Sequence, residues 1–177
     1  MNKAATTYRI EQLDGAAAFA AVPALAEILI DCVEGGASVS FMSPLSRQKA
    51  ETFWRKCASA VASGEHLLFV ARTGDRIEGT VQVVLSLPEN QPHRAELTKM
   101  LVHRRARRQG IAEALLDAAE RAARNAGKSL LVLDTMTGTD AERLYLRTGW
   151  TLAGQIPDYA LFPDGRPGPT SIFFKPL

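Results

Sequence analysis

The run HRRARRQGIAEALL, from His103 to Leu116, puts four arginines into five positions and then a glycine. Arg104, Arg105, Arg107 and Arg108 carry the charge, Gln109 follows, and Gly110 opens a leucine- and alanine-rich stretch with helical spacing. The first N–H groups of a helix have no partner within it, and the helix dipole makes that end electropositive. An anion is favoured there. Gly110 has no side chain to keep a phosphate away, Ala112 is the next smallest choice, and Arg107 and Arg108 can add charge-assisted hydrogen bonds. The pattern suits a pyrophosphate. Two other readings stand beside it: an arginine-rich surface loop without a ligand, and a patch for nucleic acid. A Walker A loop is excluded because Gly-Lys-Ser/Thr is missing, and a dinucleotide fingerprint because its three-glycine spacing is missing.

Asp134 is a second group with chemical promise. It ends the continuous apolar run Ser129–Asp134, where a charge is costly to bury. Ligands gather at the carboxyl ends of parallel strands, so Asp134 is a candidate to hold an ammonium group or relay its proton. Capping a helix is the plain alternative.

Periodicity and turn residues outline the elements that must position these groups. Thr7–Leu13 reads as a strand and Gly15–Val33 as a helix interrupted or restarted at Pro23. After Glu34–Pro44 a second helix spans about Ser46–Ser63. His66–Arg72 and Ile77–Leu87 form a hairpin around TGDR, and Ala95–His103 is a fourth strand. The arginine loop then leads into a helix over Gly110–Ala126, with Ile111, Leu115, Ala118 and Ala122 on its apolar face. Gly127 suits a left-handed cap. Ser129–Asp134 has the composition of a strand buried on both faces. Thr139 and Glu142 form a capping box for a short helix to about Thr148. Trp150–Ile156 and Thr170–Lys175 close the chain as strands around a proline- and glycine-rich loop. A strand–helix–strand crossover in the middle implies a parallel pair, and the flanking hairpins are antiparallel. A mixed α/β sheet in a single domain over residues 1–177 follows.

Composition narrows the function. The net charge of +2 makes the arginine run a local feature, whereas nucleic-acid binders carry a larger basic excess. No aromatic residue is interleaved with the arginines between His103 and Leu116, as stacking on bases would need. The phosphate cradle is therefore favoured over a nucleic-acid partner. Cys32 and Cys57 lie far apart in apolar patterns and read as buried free thiols. With no CxxC and three histidines, no metal site is expected. No signal core or apolar run long enough for a membrane is expected, which points to a cytoplasmic protein.

Arg107-x-x-Gly110-x-Ala112, between a strand and a helix, resembles the Q/R-x-x-G-x-G/A loop of the GCN5-related N-acetyltransferase (GNAT) family. Ala141, Leu144, Tyr145, Gly149 and Trp150 resemble the same family's A-x-x-L-Y-x-x-x-G-F segment. Both motifs occur in the family's order with a strand between them. Gly35–Met42, Leu133–Thr135 and Pro163–Leu177 further resemble the tabtoxin-resistance branch of that family.

The resemblance implies a mixed six- to seven-stranded sheet with a splayed parallel central pair and about four flanking helices. It implies an acetyl-CoA-dependent N-acetyltransferase acting on a small amine, possible examples being an amino-acid-like toxin or antibiotic. A protein lysine or N-terminal acetyltransferase is the alternative within the fold. Backbone N–H groups of Arg107, Arg108, Gln109, Gly110, Ile111 and Ala112 would hold the CoA pyrophosphate. Met100, Leu101 and Val102 would pair with the pantetheine arm, with Ala141 and Leu144 beside the cofactor. Tyr145 would protonate the departing thiolate. Glu96, fourteen positions before Gly110, and Asp134 are rival candidates for the base or the ammonium anchor. Gly138 departs from the family pattern, which commonly has an asparagine there that helps hold the arm. The substrate side is expected at Gly35–Met42, Pro88–His93 and Pro157–Pro169, with Asp158, Tyr159 and Asp164 as possible contacts. A monomer or a homodimer fits equally.

Overall fold

A computed structural model describes residues 8–177. In chain order the elements are β1 (Arg9–Leu13), α1 (Gly15–Glu34), α2 (Arg47–Ala62), β2 (His66–Thr73), β3 (Arg76–Val84) and β4 (Arg94–Val102). A one-turn 3₁₀ helix (Arg104–Ala106), α3 (Ile111–Asn125), β5 (Leu130–Met136), α4 (Asp140–Arg147), β6 (Thr151–Leu161) and β7 (Pro167–Pro176) follow. Thr7, read as the start of the first strand, lies outside the described residues.

The strands form one seven-stranded sheet in the order β1-β2-β3-β4-β5-β7-β6. Only β4 and β5 run parallel; every other neighbouring pair is antiparallel. The crossover through α3 makes that pair, as the strand–helix–strand pattern requires. Alternation along β2 sorts the core into two layers. Leu68 and Val70 pack with α1 and α2, whereas Phe69 and Ala71 pack with α3. Gly79 on β3 has no room for a side chain: a Cβ there would meet Ile111 Cγ2 at 3.0 Å and the Leu101 carbonyl at 3.1 Å. Its absence lets the start of α3 settle against the sheet.

Four local expectations need correction. Pro23 does not break α1, which runs through it. Pro23 and Phe19 are both exposed, so the carbonyl that loses its donor can be served by water. The buried centre of α3 holds Ile111, Leu115, Ala119 and Ala123, with Ala118 and Ala122 at its margin. The apolar arc is broad enough in sequence to admit either set. The loop expected over Pro157–Pro169 is mostly strand, because β6 and β7 extend into a long hairpin. Bulges absorb Pro157 and its neighbours on the edge strand, where a missing N–H is tolerated. Finally, α1 is long and apolar enough to cross a membrane, with a mean hydropathy of 1.9. It serves as a core helix, with Leu25, Ile28 and Leu29 fully buried against α2 and the sheet.

Cys32 and Cys57 are buried free thiols. Burial raises both above the usual thiol range. The capping box at α4 is displaced by one residue. Thr139 accepts from the Glu142 N–H, but the Glu142 carboxylate takes its reciprocal bond from Gly138 N at 2.6 Å.

Candidate active site

β4 and β5 pair only over Arg94–Glu96 and Leu130–Val132. Beyond that the strands separate. On the other side of β4, Thr80 faces Leu101 and Gln82 faces Thr98, so one β3 residue opposes both Lys99 and Met100. This is a β-bulge, which bends the bulged strand away from its regular course. Lys99 takes the left-handed backbone, with φ 51°. The gap between the strands becomes a cleft of about 1080 Å³.

One end of the cleft gathers the residues expected to cradle an anion. Met100, Leu101 and Val102 line it from β4, and Arg107, Arg108, Gly110, Ile111 and Ala112 continue the wall. Gly110 is the N-cap of α3, with φ 80° and no side-chain cap, so the helix's first donors are left without a capping partner. Gln109 is the exception within the loop. It borders a separate small recess with Arg105, Glu78 and Thr73.

The arginines divide into two groups. Arg104 gives its N–H and its Nε to the two oxygens of Asp31, each at 2.8 Å. Arg105 bonds Glu78 at 2.7 Å and Glu27 at 2.8 Å. These two fasten the loop to α1 and β3. Arg107 Nε donates to the Val102 carbonyl at 3.3 Å, which folds that side chain back on the strand. Arg108 forms no ion pair among the described residues. Arg143 and Arg147 of α4 add charge to the same cleft.

Burial works against the Asp31 charge, but the Arg104 backbone and guanidinium outweigh it and hold the carboxyl below its usual range. A carboxyl depressed in the fold adds stability above its unfolded pKa and loses it as pH falls through the folded value. Asp31→Asn should therefore lower the melting temperature at pH 7 by roughly 2–10 °C, from an interaction of about 1–3 kcal/mol. The gap from wild type should close below about pH 4. Thermal melts of both proteins from pH 7 to pH 3 check this; a pH-independent gap would place the loss in packing instead.

Tyr145, Ala141 and Leu144 of α4 line the cleft, and so does Asp134 of β5. The Tyr145 ring is buried, edge-on to Trp150 at 5.7 Å and tilted to Phe173 at 6.0 Å. Its hydroxyl makes no hydrogen bond among the described residues. Burial raises the phenol well above its ordinary value and the Asp134 charge adds to this, so the proton stays on. Asp134 is exposed to the cleft. Glu96 does not line it; its carboxylate pairs with Arg94 at 2.9 Å, where the two strands are still joined.

The other end is walled by the α1–α2 connection and the β6–β7 hairpin. Ser38 Oγ donates to the Leu161 carbonyl at 2.7 Å, and Ser43 N donates to the Pro163 carbonyl at 3.0 Å, so the two segments are tied together. Of the segments expected on the substrate side, Gly35–Met42 lines the cleft, and the hairpin contributes Tyr159, Ala160 and Leu161. Pro88–His93 does not reach it. Asp164 instead pairs with Arg166 in the hairpin turn. Ser40 lies within the expected Gly35–Met42, but sequence reading missed Lys99, which lines this end as well. The only signal was a lysine within an otherwise apolar strand end. Among the described residues, no three His, Cys, Asp or Glu side chains gather as a metal site would need.

Residues 24–150 match the model of the acetyltransferase (GNAT) family. The fold is similar to solved structures over nearly the whole chain. A ribosomal-protein-alanine N-acetyltransferase from Brucella melitensis is 22% identical with a TM-score of 0.79, covering 96% of this chain and 99% of that one. The structure of yncA from Salmonella typhimurium, with its cofactor acetyl-CoA, is 19% identical with a TM-score of 0.78, covering 96% and 94%. An acetyltransferase of the GNAT family from Streptococcus pneumoniae is 20% identical with a TM-score of 0.77, covering 97% and 100%.

Proposed function

Because the chain belongs to the acetyltransferase (GNAT) family, whose model it matches over residues 24–150, we propose that its cleft passes an acetyl group from acetyl-CoA to a primary amine of a small molecule. An amino-acid-like compound, such as a toxin or antibiotic of the tabtoxin type, is the acceptor class the reading favours. One observation carries it: the anion cradle, the Tyr145 hydroxyl and the Asp134 carboxylate share a single cleft. The tied α1–α2 and β6–β7 segments wall the acceptor end, which favours a small molecule over a protein segment.

The residues fit the cosubstrate. Gly110 presents no side chain at the start of α3, where a Cβ would meet the Tyr8 hydroxyl at 3.2 Å, and the uncapped N–H groups of the helix suit a pyrophosphate. Among the described residues the β4 edge that faces β5 is unpaired past Glu96, which leaves backbone groups along that edge for an amide-bearing arm, although the Val102 carbonyl already accepts from Arg107 Nε. Gly138 has φ 80°, a conformation that glycine and asparagine both adopt readily, and lacks only the side-chain amide.

When bound, acetyl-CoA supplies the thioester and a thiol leaving group. Asp134 holds the acceptor's ammonium and takes its proton, which frees the nitrogen to attack. Tyr145 keeps its proton at the hydroxyl and presents it to the departing sulfur. The ring that carries this hydroxyl is buried and held by Trp150 and Phe173. Glu96, ion-paired outside the cleft, holds the join of the splay and does not exchange protons with substrate.

Free thiol release from acetyl-CoA, followed across amino acids, simple amines and peptides, tests this. Turnover is expected with the small amines. Turnover confined to peptides would overturn the small-acceptor reading.

A further inference from the structure

The acceptor end holds one cation that the transfer chemistry does not use. Lys99 stands on the β4 bulge, and its Nζ donates to Ser40 Oγ at 3.1 Å. The same Nζ lies 5.5 Å from the centre of the Phe53 ring. Ser40 also has a left-handed backbone, with φ 76°. Two non-glycine residues in that region thus meet through one hydrogen bond, and such positions cluster at functional sites.

A hydroxyl and an aromatic face are the partners of this ammonium. Among the described residues it forms no ion pair with a carboxylate. Arg104 and Arg105, by contrast, are each matched to acidic side chains. A partly buried charge with neutral partners is incompletely compensated. Burial pulls the Lys99 ammonium below the usual lysine range, and Cys57 and Asp134 offset this only in part. A bound carboxylate would supply the missing charge. Asp134 stands on the facing strand β5 and lines the same cleft. A ligand with an ammonium toward Asp134 and a carboxylate toward Lys99 would compensate both.

We infer that Lys99 is a specificity residue that binds a carboxylate on the acceptor, so that the substrates are amines that also bear a free carboxylate. This rests on the transfer reading above and narrows it. Lys99 is a compact point charge suited to such a group, and Ser40 holds it in place. The Arg-rich cradle lies beyond Val102, so the cosubstrate's phosphates and the acceptor's carboxylate have separate cations.

The test compares amino acids with their carboxamides as acceptors, at saturating acetyl-CoA, in wild type, Lys99→Met and Lys99→Arg. Each carboxamide differs in amine basicity, but that difference is intrinsic to the acceptor and cancels when the acid-to-amide ratio is compared between enzymes. Wild type is expected to favour the acids. Lys99→Met should lower the acid-to-amide ratio of kcat/KM by roughly 10- to 100-fold, the size of one charge-assisted hydrogen bond. The loss should fall in the acceptor KM, and Lys99→Arg should restore part of it. Equal losses on acids and amides, or an unchanged ratio, would overturn the assignment of Lys99 while leaving acetyl transfer intact. No turnover of either class by wild type would instead overturn the small-amine reading, and the inference with it.

Discussion

Tyr145→Phe should lower kcat by roughly 10²- to 10⁴-fold while acetyl-CoA binding stays near the wild-type value, the range for loss of one acid–base group. The substitution removes one oxygen and keeps the ring. Phenylalanine preserves the contacts with Trp150 and Phe173. The hydroxyl has no hydrogen-bond partner among the described residues, so its removal orphans none of them. The effect should therefore sit in the chemical step. Two companion variants divide the proton route. Asp134→Asn should abolish the acidic limb of the kcat/KM profile, because an amide cannot take the acceptor's proton. Glu96→Gln should keep that limb, since Glu96 faces Arg94 and not the cleft. Wild-type kcat in Tyr145→Phe would remove the acid assignment. An intact acidic limb in Asp134→Asn would make that residue an ammonium anchor only, with its loss appearing in the acceptor KM.

Gly110→Val should raise the acetyl-CoA KM by roughly 10- to 100-fold, the loss of about one charge-assisted hydrogen bond. A Cβ at this position would also come within 3.2 Å of the Tyr8 hydroxyl. Valine carries a second cost, because φ is 80° and the left-handed region disfavours side chains by about 1–2 kcal/mol. The melting temperature should fall by roughly 2–8 °C for a domain of this size. Gly110→Ala shares the backbone strain with less bulk, so it separates the two effects: a similar fall in stability with a smaller rise in KM. An unaltered KM in both variants would reduce the loop to a surface turn.

Much of this architecture could be read from residue order. The crossover from Arg107 through α3 to β5 was legible because a glycine start, a 3.6-residue apolar period and a continuous apolar strand are all local signals. Tyr145, Asp134 and the β4 end lie in one cleft because that crossover brings them together. What escaped depends on distant partners. Four arginines look alike in sequence, yet Asp31, Glu27 and Glu78 engage Arg104 and Arg105, and Val102 engages Arg107. Lys99 carries no signal of its contacts within the strand Ala95–His103, since Ser40 and Phe53 meet it only through the fold. Proline and glycine around Pro157–Pro169 signal a loop, but an edge strand can bulge around them. Pro23 signals a break, but an exposed carbonyl makes the missing donor tolerable. Glu96 sits on the expected strand, yet the strands part only beyond it.

Acetyl-CoA is expected to lie in the splay, with its pyrophosphate on the start of α3. Backbone hydrogen exchange, measured with and without saturating acetyl-CoA, tests it most directly. Slowed exchange is expected at Met100–Val102 and Arg107–Ala112, with no such protection from an oligonucleotide of equal charge. Unchanged exchange in both segments, or equal protection by the oligonucleotide, would contradict it.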